Sequence, residues 1–435
     1  MRPIRVIGGG LAGVEAAYQI ARRGVPVQLY EMRPQQPTPA HHTALLGELV
    51  CSNSLKADTL ASAHGLLKAE MRAFDSLVLQ VADACRVPAG TALAVDRDQF
   101  AQQLTATISN QPHLTLLREE VQTLPVGQLT IVATGPLTSA ALTADMQRHL
   151  GSEQLYFYDA LSPIVAADSI DYAKTFFASR YDHGDGDDYL NCPLDRQMYE
   201  QFWTALCTAE CVVPHDFERE IFFEGCLPIE EMARRGPQTL AFGPLKPVGL
   251  QRHDTPVPYA VVQLRLEDRL RSAYNMVGFQ TRLKYSEQRR IFRMIPGLEQ
   301  AEFLRLGSVH RNTFLNAPRL LLPTLQTRRR PELLFAGQIT GVEGYVESAA
   351  TGLLAGINAV ALWHGREPLV PPATTAHGAL LRYISSADPE TFQPMNINFG
   401  LLPALDMRSG SKQVRRAAMV ARALEDLQQW KPLVG

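Results

Sequence analysis

Apolar residues recur along this chain in two rhythms, and the switches between them mark out its elements. Ile4, Val6 and Ile7 form a short apolar run, a glycine turn leads to a helix predicted over Val14 to Arg23, and a second run, Val27 to Tyr30, ends at Glu31. Strand, helix and strand at this spacing make one βαβ unit. Pro34, Pro37 and Pro39 keep the next segment, through His41 and His42, in loop. From Thr59 to about Ala84 the spacing of Leu60, His64, Leu67, Met71, Leu77 and Val81 predicts helix throughout. Pro88 to Phe100 reads as strand with a helix following Arg97, and Leu129 to Ala133 as a buried strand leading to Gly135. That strand-and-glycine pattern returns at Leu333 to Gly337, followed by Gly341, Gly344 and a long helix of small residues, Tyr345 to Val360. Between about Leu161 and Asn316 the texture differs, with short strand-like runs, aromatics such as Tyr172, Phe176 and Phe177, and an acidic turn, Asp182 to Asp188. That turn lacks the full calcium-loop pattern and reads as an exposed loop.

The first turn, Gly8-Gly9-Gly10-Leu11-Ala12-Gly13, carries the G-x-G-x-x-G spacing. Gly8 permits the tight exit from the strand, Gly10 leaves room for a pyrophosphate against bare backbone, and Gly13 lets the helix pack on the sheet. The pyrophosphate then rests on the helix N-terminus. Glu31 lies 23 residues after Gly8, where a carboxylate accepts hydrogen bonds from an adenosine ribose, which favours FAD or NAD(H) over a 2′-phosphorylated nucleotide. S-adenosylmethionine enzymes also use glycine-rich first turns, and this turn alone does not exclude them. The second glycine turn, Gly337 to Gly344, with the helix from Tyr345, points to FAD. Its dipole and N–H groups suit the negative charge of a reduced isoalloxazine, which a nicotinamide enzyme does not require. The predicted fold is α/β: a Rossmann-like FAD-binding domain of the glutathione-reductase type, residues 1–160 and 317–435, with a mixed α/β insertion domain at 161–316 that covers it.

At 435 residues, 46% hydrophobic and 20% charged, the chain is long enough for that arrangement. The first strand starts within a few residues of Met1, leaving no space for a signal peptide, and no apolar run approaches a membrane span, so a cytoplasmic protein is expected. Six cysteines, Cys51, Cys85, Cys192, Cys207, Cys211 and Cys226, are expected to be mostly reduced, and Cys207 and Cys211 are too isolated from other ligand types to argue for zinc. Net charge is −2, yet Gly278 to Arg330 holds 11 Lys or Arg against 3 Glu, and Arg408 to Gly435 holds 6 basic against 2 acidic residues. Two basic segments on an acidic body suggest a localised anion-binding face, with solvated helix faces as the plain alternative.

The motifs also occur in a familiar order. Gly8 to Gly13 with Glu31-Met32-Arg33-Pro34, Val50-Cys51-Ser52-Asn53-Ser54, Val95-Asp96-Arg97, Ala133-Thr134-Gly135-Pro136, Pro244 to Leu250, His310-Arg311-Asn312-Thr313 and Gly341-Val342-Glu343-Gly344-Tyr345 are among them. Over nearly its full length the chain resembles the bacterial folate- and FAD-dependent tRNA (uracil-5-)-methyltransferases. One departure is Leu264-Arg265-Leu266-Glu267-Asp268, expected to alter packing more than chemistry.

The resemblance implies transfer of a methylene from 5,10-methylenetetrahydrofolate to C5 of the T-loop uridine (position 54) of tRNA, with FADH2 as reductant and NADPH or NADH reducing the flavin. Its FAD-binding residues would be Gly8, Gly9, Gly10, Leu11, Ala12, Gly13, Glu31, Arg33, Gly135, Gly337, Gly344 and Tyr345. C5 of uracil is a poor nucleophile until a thiolate adds at C6, and a second group must later remove the C5 proton. Cys226 and Cys51 match the family's paired cysteines, and we favour Cys226 as nucleophile and Cys51 as its partner, an assignment the residues alone leave open. His310 is the candidate to stack on the pterin, with Arg282 or Lys284 near the folate carboxylates. Arg289, Arg290, Arg293, Arg328, Arg329, Arg330, Arg415 and Arg416 would meet tRNA phosphates. No membrane and no obligate protein partner is implied. The alternatives are the same chemistry on a ribosomal RNA uridine, an FAD-dependent oxidoreductase of a small metabolite, and a flavin-bearing RNA-binding protein without catalysis.

Overall fold

The computed structural model describes residues 2–150, 154–180, 188–212, 227–250, 256–405 and 411–434, and for 154–160 and 309–313 the backbone but not the side chains. The acidic turn falls almost wholly outside these residues. In chain order the first elements are β1 (Ile4–Ile7), α1 (Leu11–Ala21), β2 (Val27–Tyr30), β3 (Ser54–Ala57), α2 (Ala63–Ala73), α3 (Leu77–Ala84), β4 (Arg86–Val87), β5 (Ala92–Val95), α4 (Arg97–Ser109), β6 (Leu114–Leu117), β7 (Thr130–Val132) and α5 (Ala140–Leu150). The middle of the chain forms β8 (Gln154–Ala160), β9 (Ile164–Ala166), β10 (Phe176–Phe177), β11 (Tyr189–Leu194), α6 (Arg196–Thr208), α7 (Ile229–Arg234), α8 (Thr239–Phe242), β12 (Ala260–Leu266), β13 (Ala273–Met276), α9 (Tyr285–Phe292), β14 (Phe303–Arg305) and β15 (Val309–Leu315). The chain ends with α10 (Ala317–Leu320), β16 (Leu333–Phe335), α11 (Tyr345–Trp363), α12 (Ala376–Ser386) and α13 (Lys412–Trp430).

A parallel five-stranded sheet, order β16-β7-β1-β2-β6, is the platform of the first core. Its strands are short apolar runs because helices cover them, as parallel sheets require. α1 starts at Leu11, three residues before the expected Val14, since Gly10 already caps it. α11 lies against α1 through small residues. A Cβ on Gly352 would come 2.1 Å from the Ala12 carbonyl oxygen, and one on Gly356 2.7 Å from that of Ala16. Contrary to the sequence expectation, α11 is long and apolar enough to cross a membrane by length and composition, but 78% of that stretch is buried inside the protein. It is a core helix, apolar all round because it is covered all round.

The helix expected over Thr59 to Ala84 is in fact two, α2 and α3, broken at Phe74-Asp75-Ser76. Asp75 turns left-handed at φ +54, and the Ser76 hydroxyl accepts from Leu79 N–H to cap a new start. Apolar spacing alone does not register such a restart.

An antiparallel six-stranded sheet, order β10-β11-β12-β13-β9-β14, organises the second core, and β12 is buried at every position. Phe202, Phe279 and Phe292 knit α6 and α9 to it, with neighbouring ring centroids 6.1 and 5.4 Å apart. The antiparallel ribbon β8–β15 carries the chain from the first core to the second and back, and β3, β5 and β4 form a small sheet in the first half of the chain.

Candidate active site

β1, β2, β7 and β16 run parallel, and their carboxyl ends give onto a cleft of about 1040 Å³, part of it open to solvent. Gly8 stands at φ +107, and a Cβ there would lie 2.5 Å from the Ala133 carbonyl oxygen. At Gly13 it would lie 1.8 Å from the Gly8 oxygen, so this position sets how closely helix and turn approach. Gly10 differs: a Cβ there meets nothing within 4 Å, because Gly10 borders the cleft. The α1 N-terminus opens here with no acidic residue in its first turn. Gly135, Gly337, Tyr345 and Ser348 supply further walls, so α11 also begins at this cleft. Two helix N-termini at one cleft make a setting for anionic groups.

Glu31 ends β2 inside the cleft and is 5% exposed. Its Oε2 accepts from Gly9 N–H at 2.9 Å, and its Oε1 from the Arg33 backbone N–H and Nε, both at 2.9 Å. Burial alone would raise its carboxyl, but hydrogen bonds and charge from Arg33, with the Gly9 amide, hold it below the usual range. Arg33 in turn reaches Glu48 at 3.1 Å, so both residues are pinned before any ligand is present.

A second structure borders the cleft at Val50. The loop Leu49 to Asn53 is held from many directions. The Tyr345 hydroxyl accepts from the N–H groups of Cys51 and Ser52 at 2.8 and 3.2 Å. Arg305 donates to the carbonyls of Val50 and Cys51, both at 3.1 Å, and Arg97 to that of Leu49. Arg265 donates to the Ser52 hydroxyl at 2.7 Å and to Asn53 Oδ1 at 2.9 Å, while Asn53 Nδ2 donates to Val95 and Leu266 carbonyls. Arg97 is ion-paired with Glu267 at 2.9 Å. Sequence reasoning gave Arg97, Arg265, Glu267 and Arg305 no role in the site. The signal available was a charged residue inside the apolar run Val261 to Leu266.

Of the remaining expected residues, some border the cleft and others fall elsewhere. Leu11 and Ala12 line the cleft, and Gly344 caps α11 at φ +115. Cys226 lies outside the described residues, as does the side chain of His310, whose backbone pairs with Asp159 in the ribbon. Arg282 and Lys284 do not line the cleft: Arg282 is 9% exposed and paired with Glu231, and Lys284 is paired with Glu210 at 2.6 Å. Of the arginines expected to meet RNA, Arg289, Arg328, Arg329 and Arg415 are exposed and form no ion pair among the described residues. Arg290 pairs with Glu287, Arg293 donates to the Ala301 carbonyl, Arg330 pairs with Glu332 and reaches the Pro125 carbonyl, and Arg416 stacks over Phe399 at 5.1 Å.

A glycine-turned parallel sheet with two helix N-termini at its carboxyl edge defines a dinucleotide-binding protein of the Rossmann class. Among solved structures, Aquifex aeolicus GidA in its form II crystal superposes with a TM-score of 0.70 at 18% identity, over 98% of this chain and 73% of that one, which places the fold. A family model described as glucose inhibited division protein A matches residues 3–367. The methylenetetrahydrofolate--tRNA-(uracil-5-)-methyltransferase TrmFO of Moorella thermoacetica is 58% identical over 421 residues, 97% of this chain and 96% of its own length. Its namesake from Pelotomaculum thermopropionicum is 57% identical over 431 residues, 99% of this chain and 98% of its own. The chain belongs to the glucose inhibited division protein A family, and to the same family as these methylenetetrahydrofolate--tRNA-(uracil-5-)-methyltransferases.

Proposed function

We propose that this protein methylates C5 of the T-loop uridine, position 54, of tRNA, taking the carbon from 5,10-methylenetetrahydrofolate and binding FAD in the cleft. One observation carries the reading: Tyr345, which starts α11 at the cleft, holds the backbone of Cys51, so a cysteine loop stands beside a dinucleotide site. Family membership at this identity supplies the substrates. FAD, once reduced by NADPH or NADH, supplies the electrons that turn the folate-borne methylene into a methyl group.

This chain's residues divide the remaining work. The open space at Gly10 and the bare N–H groups of α1 take the pyrophosphate, and the N-terminus of α11 takes the negative end of the flavin. A ribose must share Glu31 with Arg33, whose bonds already occupy it. Cys226 adds to C6 of the uracil and makes C5 nucleophilic, and Cys51 takes the C5 proton. His310 stacks on the pterin, and Arg282 or Lys284 meets the folate carboxylates after exchanging its present acidic partner. The exposed Arg289, Arg328, Arg329 and Arg415, with Arg290, Arg293, Arg330 and Arg416, hold phosphates while the uridine is flipped out, at a cost of a few kcal/mol.

The test is methyl transfer to an unmodified tRNA transcript with purified protein, NADPH and methylenetetrahydrofolate, beside a reaction with S-adenosylmethionine as sole donor. Folate-dependent 5-methyluridine in the T loop is the expected product. No product, with bound FAD and brisk NADPH oxidation, would redirect the reading to ribosomal RNA and then to a small-molecule oxidoreductase.

A further inference from the structure

The Cys51 loop receives its hydrogen bonds from two sides of unlike chemistry. From the first core comes the neutral Tyr345 hydroxyl; from the six-stranded sheet come the guanidinium groups of Arg265 on β12 and Arg305 on β14. Arg97 at the start of α4 adds a third, but its charge is matched by Glu267. Arg265 and Arg305 form no ion pair among the described residues. Arg265 is only 6% exposed, and the buried Nε of the half-buried Arg305 has no hydrogen-bond partner among the described residues. Glu267 acts on Arg265 and Arg305 as well as on Arg97, so three guanidinium groups share one carboxylate, an excess of positive charge that is costly unless a further anion stands close by. Cys51 interacts electrostatically with each of these three arginines. Within that set the sulfur is where the missing anion can form.

We propose that Arg265 and Arg305 are positioning residues that fix the Cys51 loop from the second sheet and hold its sulfur as the thiolate. The inference rests on the reading of Cys51 as the group that takes the C5 proton. A thiolate can do so directly: the S–H bond forms as the C5–H bond breaks, and the electron pair stays with the uracil. Had the sulfur been protonated at rest, a further base would be needed. Both arginines come from one side of the loop, so the second core sets the state of a residue in the first.

The experiment is pulse alkylation of the full-length protein by iodoacetamide from about pH 5 to about pH 10, with the Cys51 peptide quantified by mass spectrometry, native and in urea. The native midpoint should lie at least about one unit below that of the unfolded chain, where the thiol is ordinary at about 8.5. Arg305→Gln and Arg265→Gln should each raise the native midpoint and slow alkylation at pH 7 about tenfold. Arg305→Lys should restore the midpoint but not the methyl-transfer kcat, because one ammonium cannot serve the Val50 and Cys51 carbonyls as a planar fork does. A native midpoint at or above the unfolded one overturns the proposal without any variant, and midpoints unmoved in both glutamine variants overturn it too. If Cys51→Ala keeps full methyl transfer while the midpoint is low, the catalytic reading of Cys51 falls and the electrostatic assignment stands.

Discussion

Gly10 and Gly13 sit three residues apart in one turn, yet the missing side chain means something different at each. Gly10 has an ordinary φ of −75 and open space around it, so Gly10→Ala should leave the stability of the ligand-free protein within about 0.5 kcal/mol of wild type while abolishing FAD retention. Absorbance at the flavin maximum after purification, beside a melting curve, reads both quantities; a yellow, fully loaded variant would remove the pyrophosphate from this turn. Gly13→Ala has no such latitude, because its Cβ would overlap the Gly8 oxygen. Protonation is the other residue-level lever. Burial is the main cause that lowers the His41 and His64 imidazoles to about 4. The unfolded chain binds those protons at about pH 6.5, so stability is lost as pH falls from there towards about 4, by at most about 1.4 kcal/mol per pH unit for each histidine. Urea midpoints at pH 7 and at about pH 5 should show the loss, and His64→Gln should reduce it.

Between elements, α1 and α11 approach closely, and glycines set that approach. Gly352→Ala must push a methyl into the Ala12 carbonyl, so the helices separate and about 1–3 kcal/mol of stability goes, measurable as a lower urea midpoint. The elements around this interface were legible in the sequence because local rules fix them: β2 occupies Val27–Tyr30 as read, and each glycine of the first turn sits where its spacing put it. The break between α2 and α3 was not legible, because a serine cap and one left-handed residue leave the apolar spacing intact across it. Nor was the clamp on Cys51. Arg265 meets Asn53 across 212 positions and Arg305 meets the Cys51 carbonyl across 254, so nothing local encodes either bond. Such pairs exist only once the two cores have met.

The whole molecule carries a net charge of −2 while offering exposed arginines from α9, from the segment before β16 and from α13. Affinity for tRNA should therefore fall steeply with salt. Arg328→Ala with Arg329→Ala should flatten the slope of log affinity against log salt by about one for each phosphate left unneutralised, read by filter binding over a salt series. Arg330→Ala, whose side chain also serves Glu332 and the Pro125 carbonyl, should flatten that slope as well and in addition cost stability. Sheet order has a further consequence, in time instead of space. β16, paired beside β7, and the wall from Gly337 to Ser348 come from the last quarter of the chain, whereas the opposite partners of the same cleft are among the first residues made. A ribosome thus releases the first glycine turn long before the residues that complete the cleft around it. Nascent chains arrested short of Ser348 should fail to keep a flavin that the finished protein keeps, which makes loading a late step in the protein's life.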